Sequence, residues 1–546
     1  MDYYDLGTFS RQVTTSSADA QQWMDRALIW IYAYNHEEAI TCCEQALRAD
    51  PNCAMAHWAI AYAIGPNYNK PWEDFEDEEK PDAIGVARRS LEAAAALKAE
   101  LTPVEAALIE ALAHRYPEDA SAEDFAPWND AYADAMRAVY KAFPDDADVC
   151  CLFAEAIMNR TPWALWDLPT GRPAEGADTL EAVDVLETAF STMEVAWDHP
   201  GLLHMYIHLM EMSPHPERAL RHGDRLCTLV PDAGHLQHMA THIDVLCGDY
   251  MNVVLRNHAA IVADRKFLER AGPDNFYTIY RLHNYHFKIY GAMFLGQPTV
   301  ALETADELVE SLPEATLRPM ADWFEAFIPM KQHALIRFGM WEEILAQPLP
   351  EDEALYTVTL AMMRYSRTVA LANSGAIDEA RAERALFEDA LSRVPESRTL
   401  FNNTALDILA VAEQMMLGEL EYHAGNHDDA FDHLRRSIEL DDNLPYDEPW
   451  GWMQPTRHAL GALLLDQQQF AEAEAVYRAD LGLDATLSRA CQHPGNVWSL
   501  HGLLECLKQR GETVEAAQVK LQLDKAMARA EVPIQASCYC SKRAAA

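Results

Sequence analysis

Basic residues are scarce in this sequence. Lysine and arginine number 43 in 546 residues, against 86 aspartates and glutamates, for a formal charge of −43. A groove for nucleic-acid phosphates needs clustered lysine and arginine, so no nucleic-acid partner is expected. An anionic membrane surface is excluded on the same ground. Long apolar runs are also missing, with no uninterrupted stretch near the ~18 residues that mark a bilayer-spanning helix. The opening MDYYDLGTFSRQV has neither a basic start nor an apolar run, so no secretion signal is expected. There is no glycine loop for phosphate, no Gly-x-Ser-x-Gly elbow and no Walker motif, which leaves nucleotide hydrolysis and triad chemistry without support. The 11 cysteines include no Cys-x-x-Cys pair. Reduced thiols, mostly small buried hydrophobes, in a cytoplasmic protein are the simplest reading. Cys538 and Cys540 stand together near the end at a spacing poor for a metal site.

What is present is a core-forming chain: half the residues are hydrophobic and 24% are charged. Apolar residues recur at helical spacing almost throughout, and glycine and proline fall between helical runs. The helical runs repeat. NHEEAITCCEQALRADPN (35–52) places Ala39, Ala46 and Pro51 at the offsets that PERALRHGDRLCTLVPD (216–232) gives to Ala219, Leu226 and Pro231. QPTVALETADELVESLP (297–313) does so again with Ala301, Leu308 and Pro313. Further units carry Val253 with Ala260, Ala380 with Phe387, Ala430 with Ser437, and Ala473 with Asp480. Gly248, Gly296, Gly375 and Gly425 each stand five residues before the first small residue. The pattern describes a helix hairpin: a turn, a small residue where two helices cross closely, then a stop.

This pattern resembles the tetratricopeptide repeat, a helix–turn–helix unit of about 34 residues. The expected fold is all-α, a right-handed superhelical solenoid of tetratricopeptide-like helix hairpins over residues 1–531. Two inserted loops break the period, PNYNKPWEDFEDEEKPD (66–82) and TPWALWDLPTGRPAEGADT (161–179), and residues 532–546 read as a disordered C-terminal tail. Trp163, Trp166, Trp450 and Trp452, beside prolines, could wall a pocket, but are assigned to core or loop packing.

The histidines follow the repeat. Counting fifteen residues back from Ala219, Val253 and Ala301 reaches His204, His238 and His286. Four residues after the first two come His208 and His242, and three before the last two come His235 and His283. Helix neighbours three, four or seven apart share a face. Stacked units superpose equivalent positions, so these imidazoles are expected to cluster on the concave wall. His458 has the same relation to Ala473. Converging neutral imidazoles suit Zn, Cu, Fe or Ni. Glu155, Glu211 and Tyr206 could supply oxygen ligands or hydrogen-bond the ligands from behind. No His-Glu-x-x-His motif occurs.

The segments NHEEAI, DPNCAMAHWAIAYAIGPNYNKPW, HPGLLHMYIHLMEMSPHPERAL, AGHLQHMATHI and LHNYHF together resemble the tetratricopeptide repeat protein 38 family, from about residue 12 to about residue 511. The resemblance implies a cytosolic helical-repeat protein without an established reaction. Its pattern covers His204, Tyr206, His208, Glu211, His235, His238, His242, His283, Asn284 and His286. One departure is Ala240–Thr241, where Pro-Ser is expected. Two functions follow as expectations. The concave face holds a histidine-rich pocket for a transition metal (Zn, Cu or Fe) or a small polar ligand, and an open coordination position would make it a metal-dependent enzyme. Alternatively the array is a non-catalytic scaffold that holds a protein or peptide in its groove.

Overall fold

The computed structural model describes residues 3–97, 101–117 and 123–541. The chain is an all-α array of tetratricopeptide-like hairpins, interrupted among the described residues by two tiny ribbons. One pairs Trp166–Asp167 with Arg172–Pro173, and the other pairs Thr399–Leu400 with Asn403–Thr404. No helix among the described residues is long and apolar enough to cross a membrane. The hairpins fall into two compact units: Met1–Ile243 with Val262–Arg270, and Asp244–Ile261 with Ala271–Ala546.

In the first unit the opening hairpin joins Ala18–Tyr32 to His36–Ala49. Ser17 caps the first helix by accepting the Ala20 N–H, and Asn35 caps the second through the Glu38 N–H. Ala20, Ala27, Ala39 and Ala46 are fully buried where the helices cross, so small side chains set the close approach. In the second unit Ala405–His423 packs on His427–Asp442, and a Cβ at Gly418 would lie 2.5 Å from Leu434. The predicted turn glycines 248, 296, 375 and 425 all take positive φ, between 74° and 90°. That conformation is costly for any residue with a Cβ, which is why glycine stands there.

Both inserted loops are ordered over their described residues. In the first, Asn67 and Lys70 pair backbone to backbone, Trp72–Asp74 forms a short turn of helix, and the next helix begins at Glu79. The second holds the Trp166–Pro173 ribbon. Its Trp166 indole donates to the Leu209 carbonyl at 2.7 Å.

The C-terminal segment corrects the sequence reading. Residues 532–541 are packed, with Ile534, Ser537, Cys538 and Cys540 buried. Ile534 packs with Val497 and Trp498, and Arg337 donates to the Ser537 carbonyl at 2.6 Å. The short run ASCYCS (536–541) hides this anchoring, which depends on partners far away in sequence. Cys538 and Cys540 are joined in a disulfide and are not the reduced thiols expected, whereas Cys42, Cys43, Cys53, Cys150, Cys151, Cys227, Cys247, Cys491 and Cys506 are in no disulfide. Residues 542–546 of the expected tail lie outside the described residues.

Candidate metal centre

Two helices of the first unit carry the imidazoles. Pro200–Glu211 starts with proline at its first helical position, and His199 caps it by accepting the Leu202 N–H at 3.1 Å. Every residue of this helix is buried, as expected for a central element packed on several sides. It lies against Ala18–Tyr32 and Ala147–Met158. A Cβ at Gly201 would sit 2.6 Å from the Tyr32 ring and 2.7 Å from Cys151 Sγ, so glycine permits that approach. His204 and His208, one turn apart, then face the same way, with Glu211 three residues further on. The second helix, Gly234–Leu246, presents His235, His238 and His242. Thr241, in the Ala-Thr departure, donates its hydroxyl to the His238 carbonyl at 2.7 Å, and the helix runs on through it.

These side chains converge. Ligand atoms of His204, His208 and His235 lie within 4.8 Å of one another, and so do those of His208, Glu211 and His242. His204 Nδ1 stands 2.7 Å from the Tyr32 carbonyl oxygen. A carbonyl only accepts, so Nδ1 carries the proton. Burial pushes His204 down to about 3, against the raising effect of that carbonyl. The ring is therefore neutral near pH 7, and Nε2 holds a bare lone pair. Among the described residues Nε2 has no hydrogen-bond partner. His208 repeats the arrangement: Nδ1 donates to Glu211 Oε1 at 2.9 Å, and its buried Nε2 has no partner among the described residues. Burial, reinforced by the surrounding imidazoles, holds His208 and His235 well below the usual histidine range.

Glu211 reaches both helices. Its Oε2 accepts from His242 Nδ1 at 2.8 Å. His242 Nε2 and His238 Nε2 share a hydrogen bond 2.8 Å long. Aromatic rings surround the set. Tyr34, held at φ 53°, places its ring 4.7 Å from His204 and 5.7 Å from His235. Both inserted loops reach in: Tyr68 from the first lies 4.9 Å from His208, and Trp163 from the second lies 5.8 Å from it. The Trp163 N–H donates to the Tyr68 hydroxyl at 3.2 Å, so the loops are tied together over the imidazoles.

Tyr206 and Glu155, both expected beside the ligands, do not join them. Tyr206 is two residues from both His204 and His208, on the opposite face of the helix, where it donates to Glu187 at 2.9 Å and packs on His222. Glu155 accepts the Tyr62 hydroxyl, and burial raises its carboxyl despite the nearby Arg115. His283, Asn284 and His286 lie on Thr278–Leu295 in the second unit. There His283 packs on Phe401 at 4.5 Å and His286 on Phe327 at 5.7 Å, with His286 pushed down to about 3 by burial. His458 is also in the second unit, where Nε2 bonds Asp480 at 3.0 Å and Nδ1 meets Arg337 at 2.8 Å. Trp450 and Trp452 are core residues, the former bonded to Asp441 and the latter packed against His333. Tyr34 and Tyr68 had no signal as wall residues beyond the breaks in repeat pattern around them.

Residues 35–53 match the tetratricopeptide repeat family model. No curated protein matches the chain in sequence. Among solved structures it is similar to the Cut9 and Hcn1 tetramer of the APC/C at 11% identity, covering 86% of this chain and 74% of that one, with a TM-score of 0.30. It is similar to yeast Tom70 at 10% identity, covering 94% and 89%, with a TM-score of 0.29. The human IFIT1 dimer bound to m7Gppp-AAAA gives 13% identity over 86% and 90%, with a TM-score of 0.32. Superpositions this loose say nothing about ligands.

Proposed function

We propose that this helical-repeat protein binds a transition metal ion through Nε2 of His204, Nε2 of His208 and a ring nitrogen of His235. One observation carries the reading: two buried imidazoles on one helix each commit Nδ1 to a fixed acceptor and hold Nε2 as a bare lone pair, and a ring nitrogen of each lies within 4.8 Å of the other and of His235. Metal-binding histidines are commonly oriented in this way, by a carbonyl or carboxylate behind the ring. Three neutral nitrogens suit Zn, Cu or Fe, and a three-ligand set leaves a coordination position for water or a small polar ligand. Glu211 holds the His208 and His242 rings, and the Tyr68–Trp163 contact limits water access. The bound ion would supply Lewis-acid or redox chemistry. The resemblance to the tetratricopeptide repeat protein 38 family adds no reaction to choose between them.

Elemental analysis of protein purified without an affinity tag or chelating resin tests this. The expected result is near-stoichiometric Zn, Cu or Fe, lost in the His204→Ala/His208→Ala variant. No bound metal, before or after incubation with each ion, would overturn it. The repeat match at residues 35–53 favours a second reading, a scaffold holding a protein or peptide in a cytoplasmic setting. Recovery of the same partners by the double variant would support it.

A further inference from the structure

A second group of ligand atoms lies in the other unit, and it uses different chemistry. Sγ of Cys538, Sγ of Cys540 and a carboxylate oxygen of Glu419 all lie within 4.8 Å of one another. Glu419 is fully buried on Ala405–His423. Its Oε2 accepts from Asn373 at 3.0 Å, while Oε1 is enclosed with no hydrogen-bond partner among the described residues. A buried carboxylate oxygen without a donor is costly to keep. The two sulfurs are brought to it by the packed C-terminal segment, which Arg337 anchors at Ser537. Cys538 Sγ already accepts the Cys540 N–H at 3.1 Å, a contact that favours thiolate at that sulfur.

We propose that Glu419, Cys538 and Cys540 form a redox-gated site for a thiophilic divalent cation, closed as the disulfide and opened by reduction. In the oxidised chain the sulfurs are bonded to each other and are poor ligands. A dithiol reductant breaks that bond: the protein disulfide takes up two electrons and two protons, and the reductant's sulfurs join in its own disulfide. On cation binding the two thiol protons leave to solvent, each sulfur donates a lone pair, and Glu419 donates an oxygen. Two thiolates and a carboxylate around a divalent ion leave one net negative charge, and the nearby Arg337 guanidinium offsets it. Sulfur ligation selects ions such as zinc and disfavours magnesium and calcium. The site shares no residue with the histidine centre, so either can fail without the other.

The test titrates Co2+ alone into the full-length chain, once oxidised and once reduced with a dithiol and desalted without air. The expected result is a thiolate-to-cobalt charge-transfer absorption in the reduced chain, saturating at one equivalent, and none in the oxidised chain. Cys538→Ser/Cys540→Ser should abolish it, Glu419→Gln should weaken binding by roughly tenfold, and His204→Ala/His208→Ala should retain it. Equal absorption in both redox states, or absorption that persists in the double serine variant, would overturn the proposal. Unchanged affinity in Glu419→Gln would remove that carboxylate from the site. The oxidised and reduced comparison uses the natural chain, so it stands even if a variant folds poorly.

Discussion

His204 donates its Nδ1 proton to the backbone carbonyl of Tyr32, across 2.7 Å and 172 residues of sequence. The bond fixes the tautomer of a ring that burial keeps neutral, so Nε2 is always the nitrogen able to coordinate. A ligand that binds only the folded chain adds stability by mass action, roughly 2.7 kcal/mol at a hundredfold excess over Kd. Added Zn2+ should therefore raise the melting temperature of the metal-free chain. His204→Ala/His208→Ala should show no such rise in the same scan.

The pH response of the buried imidazole has a definite sign. His204 is lowered from an ordinary value of 6.5 to about 3, so between those limits the unfolded chain binds a proton that the folded chain refuses. Its contribution is complete above about 6.5 and is lost as pH falls towards 3, at about 1.4 kcal/mol per pH unit. Denaturant unfolding of metal-free protein between about pH 4 and 6 should show the slope shallower by one proton in His204→Gln.

Asp441 has the opposite sign. Burial, with Asp442 adding to it, pushes its carboxyl up to about 8. The folded chain thus keeps a proton that the unfolded chain releases near 3.8, and stability from this group falls as pH rises from about 4 to 8. Asp441→Asn should flatten that fall, and unfolding curves on the alkaline side should gain relative to those in acid.

Gly201→Ala would test how closely the imidazole-bearing helix must approach its neighbours. The new methyl would collide with the Tyr32 ring and Cys151 Sγ. The expected loss is ~1–3 kcal/mol in chemical denaturation. Because Tyr32 also orients His204, metal affinity should fall with it.

Tyr68→Phe removes the hydroxyl that accepts the Trp163 N–H, while keeping the ring beside His208. Release of bound metal to a chelator should speed up, with equilibrium content little changed. An unaltered release rate would show that the tied loops do not control access.

The helices, their turns and the clustering tendency of the histidines were legible in the sequence because they are periodic. Gly296 and Gly425 mark turns that need positive φ, Ala39 and Ala46 mark a crossing, and His204 with His208 must share a face wherever one helix contains both. These are local consequences of 3.6-residue periodicity and backbone sterics. Other features depended on contacts between distant segments. Glu211 became the shared acceptor of His208 and His242 because two helices cross there, while Glu155 was taken by Tyr62 and Tyr206 by Glu187. Tyr34, Tyr68 and Trp163 reached the imidazoles from turns and inserted loops that carry no period. The last ten described residues were anchored by Trp498 and Arg337, partners that nothing in their own composition announces. Sequence alone determined which residues could face one another along a helix. Tertiary structure decided which atom each of them met, because hydrogen-bond partnership and burial are set by side chains arriving from elsewhere in the chain.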